Sequence, residues 1–143
     1  MIGERIGEDQ ERTLELRVAA PGQRGSYLAR FSNRGARMTE LRLANSHDVV
    51  GLSDAEKLDQ EHWTKLLVGA DGGGAASRSL AWTTDASSRD LEREPLDSAL
   101  WRMRELAPSE GGPGVEFELA PGTGVRFVKR LRFEPESYRL HLE

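Results

Sequence analysis

His47, His62 and His141 are the side chains of this 143-residue chain best suited to proton transfer or metal binding, and their spacing decides how far that goes. No two stand at metal-ligand spacing, there is no HExxH, and with no Cys a three-ligand zinc site would need all three. Ser46-His47-Asp48 supplies a nucleophile, a base and an acid in name, but consecutive residues cannot converge as those partners must. A loop is the simpler reading there. His62-Trp63 could lay an indole over the apolar face of a sugar ring, although an apolar helix end docked on a sheet is the plainer expectation. Gly72-Gly73-Gly74 has no Gly-Lys-Ser/Thr after it and no strong strand before it, so it is not a phosphate cradle. Acid–base pairs cannot be assigned among 24 carboxylates without geometry. No catalytic, cofactor-binding or metal-binding residue is therefore assigned, and no cofactor is expected.

Composition narrows the classes further. Twenty Lys and Arg against 24 Asp and Glu give a net charge of −4, which lacks the basic footprint that nucleic acid requires. The 17 Arg are spread through strand-like stretches with acids nearby. One run stands apart: Arg126, Lys129, Arg130 and Arg132 have no acid among them, and three of the four share one face, which reads as a solvated strand face at a sheet edge, where charge discourages edge pairing. Leu, Ile, Val and Phe make up only 31 residues, so the core must be thin. Charges interrupt every apolar stretch before the roughly 20 residues of a membrane span, and the N-terminus lacks the apolar region of a secretory signal.

The elements that would position these residues are strands. Residues 1–12 are polar without a clear period and read as a leader or linker; residues 13–143 read as one domain. Leu14, Leu16 and Val18 alternate with Glu15 and Arg17; Tyr27, Ala29 and Phe31 follow; Thr39, Leu41 and Leu43 then alternate with outward Glu40 and Arg42. Turn residues between them make a three-stranded meander. Ser53-Asp54-Ala55-Glu56 is a capping box opening a short helix toward Trp63. The Gly-rich stretch 69–79, within a loop from Lys65 to Ser79, comes next. Leu80 and Trp82 suggest a brief strand, and Ser87 to Asp97 a polar connection. Alternation returns with Ala99, Trp101 and Met103 against Arg102 and Arg104. After a Pro- and Gly-rich loop come Val115, Phe117 and Leu119; then Val125, Phe127, Leu131 and Phe133; then Tyr138, Leu140 and Leu142. Seven or eight strands and at most one short helix predict an all-β, antiparallel β-sandwich. The chain stops at Glu143 inside a strand pattern, which suggests a segment of a longer protein.

Two stretches carry a resemblance. Residues 27–43, YLARFSNRGARMTELRL, and residues 124–140, GVRFVKRLRFEPESYRL, resemble hairpins of the extracytoplasmic domain of YidC-type membrane protein insertases. The second is the better match: a strand with Lys and an aromatic, an acidic-Pro turn, then Ser-Tyr opening the next strand. The resemblance implies a β-supersandwich like that of galactose mutarotases, projecting from the periplasmic face of the bacterial inner membrane. It implies a non-catalytic interaction or scaffold surface assisting insertion, with Sec translocon components and nascent membrane proteins as partners. The spans that would anchor it are absent from these residues, the middle is shorter and Gly-rich, and the sheet is expected to be incomplete. No functional residue carries over, because insertion in that family belongs to the membrane helices. The alternatives are a mutarotase-like sugar binder or epimerase, which needs a His acid and a carboxylate base on one concave face with stacking from Trp63, Trp82 or Trp101, and a generic β-sandwich binding module.

Overall fold

The computed structural model describes residues 3–20, 22–67, 96, 98–122, 124–134, 136–137 and 139–143. Among them the strands are β1 (Arg5–Ile6), β2 (Thr13–Val18), β3 (Tyr27–Ser32), β4 (Arg37–His47), β5 (Trp63–Leu67), β6 (Arg102–Leu106), β7 (Gly114–Pro121), β8 (Phe127–Phe133) and β9 (Leu140–Leu142), with one helix, α1 (Asp54–Lys57). All pairings are antiparallel. One sheet runs β2-β3-β4-β5; the other runs β7-β8-β9, with β6 and β1 sharing the remaining edge of β7. The all-β sandwich expected from the alternation is what forms.

Period-2 patterning explains the core. Tyr27, Ala29 and Phe31 of β3 face Val115, Phe117, Leu119, Leu131 and Phe133 of the opposite sheet, and all are buried together. Phe31 meets Phe117 and Phe133 edge-on at 6.2 and 6.5 Å, the geometry that the aromatic quadrupole favours. Ala99, Trp101 and Met103 join this core while Arg102 and Arg104 stay exposed. Backbone bonds stitch the sheets at one end: Gly35 N donates to Ala99 O and Trp101 N to Asn33 O, both at 2.9 Å.

Several expectations are corrected. Residues 1–12, read as a leader, supply β1, whose Arg5 and Ile6 pair with Pro121 and Ala120. The side chain of Asn33 holds the rest of that stretch, donating to Glu8 Oε2 at 2.7 Å and Gln10 O at 2.9 Å and accepting from Arg12 N at 2.8 Å. The helix is capped by Ser53 as expected but ends at Lys57; a 3-10 turn over Gln60–His62 follows, and β5 occupies residues assigned to helix end and loop. Glu40 and Arg42 do point to the outer face, yet they are only 9% and 5% exposed. Arg42 is folded back between Glu40 and Gln60 O, the latter at 2.7 Å. Leu28, Ala44 and Trp63 form a second small core on that face. Val125 precedes β8 and is exposed rather than inward.

The basic run is corrected most. β8 lies between β7 and β9, not at an edge, and β7 supplies the acids missing from its sequence neighbourhood. Lys129, the one of the four that does not share that face, lies in line with Phe127, Leu131 and Phe133 by strand alternation. The Leu80 and Trp82 strand, the Gly-rich stretch 69–79 and Tyr138 lie outside the described residues.

Candidate functional site

Pairing of β4 with β5 sets His47 opposite Trp63 and fixes what the sequence-adjacent Ser46, His47 and Asp48 can reach. Ser46 Oγ bonds Thr64 Oγ1 at 2.9 Å, His47 Nε2 lies 3.1 Å from Lys57 O, and Asp48 Oδ1 stands 3.7 Å from His62 Nδ1. The three side chains diverge, as strand geometry requires, so no nucleophile–base pair forms. His141 Nε2 approaches Glu134 Oε2 at 3.1 Å across the β8–β9 turn, on the exposed surface. His47 thus meets a carbonyl, while His62 and His141 each stand beside a carboxylate.

The tryptophans are spent on structure. Trp63 and Trp101 are buried, with indole N–H groups donating at 3.0 Å to Lys57 O and Leu96 O respectively. Neither ring offers a face to a ligand. Trp82 lies outside the described residues. Among the described residues no group of three or more His, Asp and Glu is placed to hold a metal ion.

The outer faces of both sheets are charge ladders. On β7, Glu116 sits between Arg104 and Arg130, at 3.1 and 2.6 Å, and Glu118 sits between Arg102 and Arg126. Burial pushes the Glu116 carboxyl upward, but hydrogen bonds and charge from Arg130 and Arg104 outweigh it and hold the carboxyl below the usual range. The other sheet repeats the device with Glu15, Arg30, Glu40 and Arg42. Burial raises the Glu15 carboxyl; Arg30 and Arg17 more than reverse that. Each carboxylate of these ladders is held by arginine side chains, and on the β7 face Arg102, Arg104, Arg126 and Arg130 surround Glu116 and Glu118.

Between the sheets stands Lys129, a charge among core residues. Lys129 is 4% exposed, pairs across the ladder with Phe117, and donates from Nζ to Ala36 O at 2.8 Å. Burial pushes its pKa down to about 8. Desolvation penalises the ammonium, and among the described residues only a carbonyl dipole offsets it. The spacing of Phe127, Lys129, Leu131 and Phe133 carries this inward parity.

Among the described residues, two clefts can be named. One of about 460 Å³ is lined by Val18, Ala19, Gln23, Arg24, Pro113 and Glu136. The other, about 190 Å³, lies between residues 5–9 and Leu100 and Leu119. Neither is bordered by a His or by Lys129. No family model, curated protein or solved structure matches the chain.

Proposed function

We propose that the chain is the extracytoplasmic domain of a YidC-like membrane protein insertase, a non-catalytic interaction or scaffold surface on the periplasmic side of the bacterial inner membrane. In that role it assists insertion and folding beside Sec translocon components. One observation carries the reading. The two stretches that bear the resemblance fold as the hairpins β3–β4 and β8–β9, one in each sheet, and they are joined to each other twice. Tyr27 Oη donates to Ser137 O at 3.1 Å, and Lys129 Nζ donates to Ala36 O at 2.8 Å. Gly25, just before β3, lets the backbone close on the same place: a Cβ there would stand 2.8 Å from Ser137 N and O. Residues that match as two separate sequence patches therefore act as one mechanical unit, which supports a shared origin for both. The sugar-epimerase alternative has less support, because the Trp63 and Trp101 rings are covered and neither cleft described above is bordered by a His.

The test is to hold the full chain between the membrane spans of a YidC-type insertase, in place of that protein's own extracytoplasmic domain. Co-purification with Sec translocon components is the expected result. A displayed, folded chain that recovers none of them overturns the proposal. A mutarotation rate above the spontaneous one, abolished by His62→Ala, would move the assignment to the sugar class.

A further inference from the structure

Asp48 to Glu61 joins β4 to β5 and combines exposed aliphatic side chains with a local excess of charge. Val50 is 95% exposed, Leu58 65% and Val49 53%. The same segment holds five of the chain's 24 acids and one of its 20 Lys and Arg, so the 19 of each sign elsewhere cancel and the net −4 is the charge of this stretch alone. Its base is closed by hydrogen bonds. Asp48 N donates to His62 O at 3.0 Å, while His47 Nε2 and Trp63 Nε1 both converge on Lys57 O. Trp63 is buried against Leu28 and Ala44 beneath it. The valines are thus held out on an anchored tip instead of collapsing onto the sheet.

Exposed apolar side chains carried on one anchored segment mark a contact site, and the charge around them selects the partner. An anionic lipid surface is repelled by net negative charge. We infer that this tip docks a basic amphipathic protein segment, whose apolar side covers Val49, Val50 and Leu58 while its Lys or Arg side chains meet Asp54 and Asp59. The inference deepens the interaction-surface reading and rests on it in taking the partner to be a protein.

The test titrates the full chain, followed by backbone amide NMR, with a short synthetic Leu/Lys amphipathic helix, its Leu/Glu counterpart, and vesicles of phosphatidylglycerol and phosphatidylcholine. The Leu/Lys peptide is expected to move the amides of residues 48–61, and Val50→Asp and Leu58→Asp are each expected to weaken binding by about tenfold or more. Asp54→Lys is expected to weaken it without touching the apolar contact. All three positions are exposed, and unchanged circular dichroism confirms that the variants fold. The Leu/Glu peptide and the vesicles are expected to leave the spectrum unmoved. No binding of the Leu/Lys peptide, shifts centred on the sheet faces, unchanged affinity in Val50→Asp, or tighter binding to vesicles would each overturn the inference. No Sec component is present, so this titration and the co-purification can fail independently.

Discussion

Glu118 and Lys129 are two buried charges on neighbouring strands of one sheet, 2% and 4% exposed, and the protein treats them in opposite ways. Glu118 faces outward and is gripped by Arg102 and Arg126, whose guanidinium groups stay half in water while their stems cover it. Lys129 faces the opposite sheet, where the core cluster is aliphatic and aromatic, and reaches a single carbonyl. An outer sheet face can bury a charge because long side chains on adjacent strands bring the opposite charge to it. The space between two sheets has no room for that, so the cation there is weakened instead of paired.

Inverting the sign on the paired side gives the largest expected effect. Glu118→Lys sets a cation among the two arginines and is expected to cost about 3 to 5 kcal/mol, read from the urea midpoint. Glu118→Gln keeps an acceptor and is expected to cost clearly less. Equal losses in the two variants would mean that packing, not charge, holds the ladder.

Next comes the unpaired side. With its folded pKa near 8, below the value of an unfolded Lys, Lys129 binds fewer protons in the folded state between those two values, so stability is expected to rise with pH through that window. The gain is about 3 kcal/mol at most, and below pH 8 the penalty is constant. Lys129→Met is expected to show no such rise. Parallel curves for the two proteins from pH 7 to 10.5 would show that the ammonium is not penalised.

The acid side of the profile is expected to move less. Glu116 and Glu15 are held below the ordinary carboxyl value, so their contribution is complete above the unfolded pKa and is lost as pH falls through the folded one. Glu116→Gln is expected to flatten that acid limb, measured by thermal melts between pH 2 and about 5. The smallest effect is at the helix: Ser53 Oγ accepts from Glu56 N at 3.2 Å, and Ser53→Ala is expected to cost about 1 kcal/mol or less, read as faster hydrogen exchange at residues 54–57.

Strands with one wet face were readable because alternation is local. The β2–β4 meander, the inward row Ala99, Trp101 and Met103, and the capping box at Ser53 all follow from neighbouring residues. Features made by distant partners were not readable. Arg42 is covered by the carbonyl of Gln60, 18 residues on, and β1 becomes a strand only because β7 offers Ala120 and Pro121. Trp63–Leu67 has no alternation to announce β5, and its pairing with β4 decides it. Of the candidate docking tip, the acids and the Val-Val pair were visible as composition, whereas their exposure depends on the anchor that Trp63 makes with Leu28 and Ala44.

A photo-reactive amino acid placed at Val50, and at Arg126 on the arginine-rich ladder face as its control, tests the interaction-surface account most directly when the chain is held on the periplasmic side by insertase membrane spans. Irradiation is expected to give an adduct with a Sec translocon component from position 50 and none from position 126. Equal labelling from both positions, or none from position 50, would contradict it.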